Sequence, residues 1–126
     1  MHLTNAEEQV MKYLWRIDKG FIRDIINEYP DPKPATTTVI TLLKRMIDKG
    51  FVQFKQYGTN REYYPIVKKT EYFSKQINGI IKDYFNDSSI QFASFFTTET
   101  ALNQKELSEL RDIIDKQITN NKKKGK

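Results

Sequence analysis

The fold of this chain is decided by the stretch Ala35-Thr-Thr-Thr-Val-Ile-Thr-Leu-Leu-Lys-Arg-Met-Ile-Asp-Lys-Gly-Phe-Val-Gln-Phe-Lys-Gln-Tyr-Gly-Thr-Asn-Arg-Glu-Tyr-Tyr-Pro65. Its apolar residues recur first at helical spacing, stop at Gly50, and then form two short aromatic and β-branched runs on either side of Gly58. This pattern predicts a helix, a helix stop and a β-hairpin in direct succession. Such an order is typical of a DNA-reading helix that is followed by a β-wing.

The predicted helix has two faces of different chemistry. Its apolar stripe, which must be buried, consists of Val39, Leu42, Leu43, Met46 and Ile47. The other face carries Thr37, Thr38, Thr41, Lys44 and Arg45. Threonine is a poor choice for solubility alone, but its short hydroxyl can approach a base edge or a phosphate closely. We therefore predict DNA contacts by these five residues. An ordinary threonine-rich surface helix is the alternative.

The predicted hairpin pairs Phe51–Tyr57 with Arg61–Ile66 and must lean on a helical core, because two strands are not stable alone. Near its tip stand Lys55 and Arg61. Basic residues there could protect a sheet edge from aggregation. Since they directly follow the threonine helix, we interpret them as wing residues that contact phosphates.

Two further helices are predicted upstream. Thr4 and Glu7 have the spacing of a capping box, and the paired acids Glu7 and Glu8 suit a solvated first turn. A short strand at Phe21–Ile22 and a short helix at Arg23–Tyr29 follow. Residues 1–69 are therefore predicted to form a winged helix-turn-helix domain with the order α-β-α-α-β-β.

The positive charge is concentrated in the same part of the chain. Between Lys33 and Lys69, eight basic side chains stand against two acidic ones, a net charge of +6, whereas residues 70–121 carry −3 and the whole chain of 126 residues +5. Phosphate neutralisation and counterion release dominate nucleic-acid affinity, so a local positive field favours a polyanion partner. We expect that partner to be double-stranded DNA.

Composition argues against several other classes of protein. The chain has no cysteine, which excludes disulfides, thiolate metal sites and a catalytic cysteine, and its one histidine is His2. The sequence contains no Ser-His-Asp grouping, glycine-rich phosphate loop or metal-spaced ligand set. We expect no enzyme activity, no cofactor and no metal. Neither a signal-peptide pattern nor an apolar run of about 18 residues occurs, which predicts a cytoplasmic protein.

The second half of the chain, residues 70–120, is predicted to form a domain of three amphipathic helices, with Thr70 and Asn103 as caps of the first and third. About fifty residues are too few to enclose so many apolar side chains, so a symmetric partner would cover them. The predicted dimerisation residues are Ile90, Phe92, Phe95, Phe96, Leu107, Leu110, Ile113 and Ile114. A monomer in which these helices fold back on the first domain is the alternative. Residues 121–126 are predicted to be a disordered basic tail.

Five motifs together resemble the penicillinase and methicillin-resistance repressor family, which also includes copper-responsive repressors. They are Leu3-Thr-Asn-Ala-Glu7, Val10-Met-x-Tyr-Leu-Trp15, Thr37-Thr-Val-x-Thr-Leu-Leu-x-Arg45, Lys49-Gly-Phe-Val52 and Arg61-Glu-Tyr-Tyr-Pro65. The resemblance implies a homodimeric repressor of a resistance or stress operon that binds a palindromic operator through its recognition helix and wing. The remaining alternative is a winged-helix module for protein–protein interaction, which would share the fold but need no basic face.

The resemblance also implies two kinds of regulation. In antibiotic-responsive members, a membrane sensor with metalloprotease activity triggers cleavage at an Asn-Phe bond in the middle helix of the dimerisation domain. The corresponding bond here is Ser94-Phe95, where the asparagine is missing. Cleavage at this bond is one interpretation, and a simple interface core of Phe92, Phe95 and Phe96 is the other. Copper-responsive members use a cysteine-rich tail, so copper sensing by that route is excluded.

Overall fold

The computed structural model describes residues 2–123, and the chain divides into one compact unit up to Lys75 and another from Gln76 onward. The elements in chain order are α1 (Asn5–Ile17), β1 (Gly20–Phe21), α2 (Ile22–Asn27), α3 (Thr36–Asp48), β2 (Val52–Tyr57), β3 (Asn60–Pro65), α4 (Lys69–Tyr84), α5 (Ser89–Glu99) and α6 (Gln104–Lys123). Among the described residues, none of the helices combines the length and the apolarity that a membrane crossing requires.

Helix α1 begins with the predicted capping box. The Thr4 hydroxyl accepts a hydrogen bond from the Glu7 backbone N–H at 3.2 Å, and the Glu7 carboxylate accepts one from the Thr4 backbone N–H at 2.8 Å. Two backbone donors that a helix N-terminus leaves unpaired are thereby satisfied. The prediction of a solvated first turn is wrong for Glu7, because this side chain is completely buried.

The core of the first unit forms where α1, α2, α3 and the hairpin meet. Its completely buried apolar side chains are Val10, Met11, Leu14, Ile25, Val39, Leu43, Met46 and Val52. Four residues of the predicted α3 stripe are buried, and the fifth, Ile47, packs half-buried at the margin. Burying each of these side chains contributes about 1.5 to 3 kcal/mol, so this face of α3 is fixed inward.

A small antiparallel sheet completes the first unit, with strand order β1-β3-β2. Strand β1 pairs Gly20 with Tyr63 and Phe21 with Glu62, so it covers the second edge of β3. The element order is the α-β-α-α-β-β predicted from the sequence. The first unit is therefore a winged helix-turn-helix.

The passage from α3 into the hairpin depends on Gly50. This glycine has φ +82°, and the Phe51 N–H donates to the Met46 carbonyl while the Gly50 N–H donates to the Ile47 carbonyl. These are the two bonds of a Schellman motif, which favours glycine at the left-handed position. The predicted helix stop at Gly50 is confirmed, and it directs the chain straight into β2.

The first turn of α4 packs within the winged-helix unit. The Trp15 Nε1–H donates to the Val67 carbonyl at 2.9 Å, and the Tyr72 hydroxyl donates to the Glu8 carboxylate at 2.7 Å. Burial and the bond to Glu8 raise the pKa of Tyr72. The prediction of Thr70 as the cap is wrong: α4 begins at Lys69, one residue before Thr70.

The second unit contains the rest of α4 together with α5 and α6. The Phe85 ring lies 5.5 Å from that of Phe92 and 5.3 Å from that of Phe95, which joins α5 to the end of α4. Asn103 and Glu106 form a capping box at α6, which confirms the predicted third cap. Three residues of the predicted disordered tail, 121–123, are helical because α6 continues through Lys123. Residues 124–126 lie outside the described residues.

Candidate nucleic-acid interface

The outward face of α3 carries all five residues predicted to contact DNA. Thr37, Thr38, Thr41, Lys44 and Arg45 are exposed, while the opposite face of the helix is buried. The 3.6-residue period produces this division, because the apolar stripe fixes the rotation of the helix. The result is a hydroxyl-bearing surface with two cations one turn further along.

The N-terminal end of α3 is open to an anion. Ala35 occupies the N-cap and makes no side-chain hydrogen bond to the first turn. Backbone N–H groups and the helix dipole therefore present positive partial charge beside the exposed Thr37 and Thr38. This arrangement suits a phosphate oxygen, which fixes the register of a reading helix on a duplex.

One threonine of this face has a defined hydrogen-bonding role. The Thr41 hydroxyl donates to the Thr37 carbonyl at 2.9 Å, so its single hydrogen is used within the helix. A hydroxyl oxygen that donates its hydrogen can still accept hydrogen bonds through its lone pairs. Thr41 therefore has no hydroxyl hydrogen left to donate while this bond is made.

The two predicted wing residues lie on opposite faces of the hairpin. Lys55 is directly opposite Glu62, and Arg61 is directly opposite Gln56. Side chains alternate between the faces of a strand, so Arg61 shares its face with the buried Tyr63, two residues further along β3. Arg61 therefore lies on the side that packs against the helices, and Lys55 on the outer side.

Aromatic rings hold both cations of the wing. The Arg61 guanidinium carbon lies 4.2 Å from the centroid of the Phe54 ring, and the Lys55 Nζ lies 5.7 Å from that of Tyr57. A guanidinium that is stacked on a ring loses less side-chain freedom when it contacts a phosphate. The shorter contact makes Arg61 the better preorganised of the two cations.

An ion pair between Lys49 and the buried Glu7 supports the end of α3. The Lys49 Nζ donates to the Glu7 Oε1 at 2.6 Å and to the His2 carbonyl at 2.9 Å. Burial raises the pKa of Glu7. The hydrogen bonds from Lys49 and Thr4 and the charge of Lys49 together lower this pKa by more than burial raises it, so the net shift is downward. The capping-box spacing signalled Glu7, but its partner lies 42 residues away and no local pattern reveals it.

None of the apolar residues predicted for dimerisation is buried within its own chain. Ile90 is 79% exposed, Ile113 59% and Ile114 52%, while Phe92 and Leu110 are half-buried. The remaining three are exposed as well, namely Phe95, Phe96 and Leu107. Neighbouring exposed apolar side chains of this kind are typical of an interaction surface.

The Ser94-Phe95 bond lies in the middle of α5. Both residues are exposed, and the Ser94 carbonyl accepts hydrogen bonds from the Thr98 hydroxyl at 2.8 Å and the Thr97 hydroxyl at 3.2 Å. Such bonds from threonine back to the preceding turn compete with the helix and weaken it slightly. A protease would need to unwind only a helix without buried side chains.

Residues 2–123 contain no group of three or more His, Asp and Glu side chains that could hold a metal ion.

A family model described as "Penicillinase repressor" matches residues 3–116. The chain belongs to the penicillinase repressor family. The match covers both units and extends from the start of α1 into α6.

Two relatives of this chain match it over about nine-tenths of its length. The methicillin resistance regulatory protein MecI of Staphylococcus aureus (strain N315) is 29% identical over 119 residues, covering 90% of this chain and 94% of its own. The penicillinase repressor of Bacillus licheniformis is 24% identical over 114 residues, covering 90% and 89%. A solved structure named "CopR Repressor Structure" is 26% identical, covers 54% of this chain and all of its own, and has a TM-score of 0.45.

Membership in the penicillinase repressor family fixes the general activity of the chain. The family consists of DNA-binding regulators of transcription, and this chain is accordingly a DNA-binding transcriptional repressor of the winged-helix type. Repressors of this family are not enzymes.

Proposed function

We propose that two copies of this chain form a dimer through α5 and α6 and repress a resistance or stress operon in the cytoplasm by binding a palindromic operator. The exposed apolar surface of α5 and α6 carries this proposal. In a twofold-symmetric dimer the same patch of both copies forms the contact, so the apolar surface of one copy would cover that of the other. Two recognition helices held about 34 Å apart would then read half-sites one turn of DNA apart.

Each residue of the interface has a proposed role in DNA binding. Thr37 and Thr38 contact a phosphate or a base edge at the start of α3, and Thr41 accepts a hydrogen bond from a base. Lys44 and Arg45 supply charge beside the groove. The wing cations Lys55 and Arg61 bind phosphates, and the ring contact of Arg61 supports its role.

Repression is proposed to end when α5 is cut at Ser94-Phe95 under the control of a membrane sensor-protease system. The exposure of both residues and the weak local structure of α5 support access by a protease. Cleavage would separate part of the dimer surface from the DNA-binding domain. Binding to DNA would then fall, because each single half-site is held far more weakly than a linked pair.

Recovery of bound DNA fragments from the whole genome tests the proposal. We expect the fragments to share a site with twofold symmetry, whose neighbouring genes identify the operon. Sites without any symmetry would contradict the dimeric arrangement. Sedimentation of the free chain provides the matching check, since a dimer is expected and a stable monomer at micromolar concentration would contradict the role of α5 and α6.

A further inference from the structure

An open pocket of about 390 Å³ lies between α1 and the start of α4, and it takes no lining residue from α3 or the hairpin. Its lining residues are Lys12, Trp15, Arg16, Lys69 and Phe73. All five belong to the winged-helix unit. A volume of this size lies within the usual range for small-molecule sites.

The polar half of the pocket is cationic. Arg16 is paired with Glu28 at 3.2 Å, and Lys12 lies 4.0 Å from Glu8, at the limit of an ion pair. Lys69 makes no ion pair with any residue in the range 2–123. None of the five lining side chains is acidic, so the pocket keeps net positive charge that an anion would neutralise.

The apolar half of the pocket is aromatic. The rings of Trp15 and Phe73 are half-buried, with centroids 5.7 Å apart and planes tilted by 52°. The indole N–H is already bonded to the Val67 carbonyl, which fixes the ring and removes its only polar group from an occupant's reach. A ligand in the pocket can therefore contact only the ring surface of Trp15, which favours an aromatic ligand.

We propose that this pocket binds a small aromatic carboxylate. One or two rings fit the volume and pack on Trp15 and Phe73, while the carboxylate is directed to Lys69 and Lys12. The cations alone would attract any anion, and the rings alone any apolar compound. Their combination in one pocket selects molecules that have both properties. This site is separate from the DNA interface and does not depend on the proposed dimer.

Titration of the full chain with benzoate tests the site, because Trp15 is its one tryptophan and gives a single indole N–H signal in NMR. We expect benzoate to shift this signal saturably. Benzamide, which lacks the charge, and cyclohexanecarboxylate, which lacks the aromatic ring, should bind at least about 5-fold more weakly. An unshifted indole signal at millimolar benzoate would overturn the proposal, and so would equal binding of all three compounds.

A pair of neighbouring variants separates the pocket from general charge. Lys69→Met removes a cation of the lining and should weaken benzoate binding about 5-fold, the effect of a partly exposed charge-assisted contact. Lys68→Met removes an exposed cation that does not line the pocket and should leave the affinity unchanged. Equal weakening by both variants, or no effect of Lys69→Met, would overturn the assignment.

Discussion

Glu7 and Lys49 join the start of α1 to the end of the recognition helix, with the Lys49 Nζ 2.6 Å from the Glu7 Oε1. The Glu7 side chain is completely buried, whereas that of Lys49 is 24% exposed. The second carboxylate oxygen of Glu7 makes no hydrogen bond to the part of the chain that the structure describes. Without Lys49, the Glu7 carboxylate would be buried with no counter-charge. Without Glu7, the Lys49 ammonium would still be reached by solvent.

This asymmetry predicts different costs for removing each partner. Lys49→Met leaves a buried carboxylate without its counter-charge and should lower the free energy of unfolding by about 3 kcal/mol. Glu7→Gln leaves a cation that solvent still reaches and should cost about 2 kcal/mol. Urea denaturation of both variants measures the difference. Lys12→Met, which removes an exposed pair, is the control and should change stability by less than about 0.5 kcal/mol. Equal costs for the first two variants would contradict the asymmetry.

Lowering the pH should change the contribution of Glu7 to stability in opposite directions in the native chain and in Lys49→Met. In the native chain the pKa of Glu7 is depressed below its ordinary value of 4.5, so its stabilisation is complete above that value and is lost as the pH falls through the folded-state pKa. Without Lys49, burial dominates and raises the pKa, so protonation relieves the buried charge. The stability difference between the two proteins should shrink below about pH 5. A difference that stays constant from pH 7 to pH 4 would exclude this coupling.

Thr41→Val should relax the base preference of the repressor at one position of each half-site. Valine keeps the shape and β-branching of threonine but removes the oxygen that accepts a hydrogen bond. Because the Thr41 hydrogen is donated to the Thr37 carbonyl, the lost preference should be for a base with an amino group, adenine or cytosine, by about 1 kcal/mol. Binding-site selection measures it. Thr119→Val on α6 is the control, and an unaltered preference in Thr41→Val would remove Thr41 from the reading face.

Arg61→Ala should weaken binding to all DNA sequences and reduce the slope of log affinity against log salt by about one unit, because one phosphate contact is lost. Arg61→Lys keeps the charge but loses the guanidinium that lies 4.2 Å from the centroid of the Phe54 ring, so its slope should match that of the native chain while its affinity is lower. A salt titration of both variants decides the role. If Arg61→Ala left the slope unchanged, Arg61 would not contact a phosphate.

Ile113→Asp should produce monomers with much weaker operator affinity, because it places a charge in the proposed dimer surface. Ile113 is 59% exposed within its own chain, so the substitution leaves the fold intact. Thr119→Asp adds the same charge to an exposed position about 120° away from Ile113 around α6 and should remain dimeric. Sedimentation measures both variants, and a dimeric Ile113→Asp would place the contact elsewhere.

Local patterns in the sequence predicted most of the first unit. The stripe from Val39 to Met46, the Gly50 stop and the Thr4 capping box are short-range features, and each is found as predicted. Hydrophobic period, helix stop and turn chemistry agree with one another in this segment, which is why sequence reasoning succeeds there.

Long-range contacts account for what the sequence did not reveal. Glu7 looked like an ordinary acidic residue of a first turn, and only the fold brings Lys49 to it. The opposite faces of Lys55 and Arg61 follow from a register that the turn at Gly58 determines. Helix α4 begins before Thr70, with the Glu71 carboxylate accepting a hydrogen bond from the Lys68 backbone N–H at 3.1 Å, and Tyr72 and Phe73 pack with Trp15.

Hydroxyl-radical footprinting of the chain on a recovered genomic site tests the central claim most directly, because it maps the contacts of both recognition helices and both wings on one duplex. We predict two protected regions, related by twofold symmetry and centred about one helical turn apart, that disappear together in Ile113→Asp. One protected region without symmetry, or no protection of duplex DNA even at low ionic strength, would contradict the account.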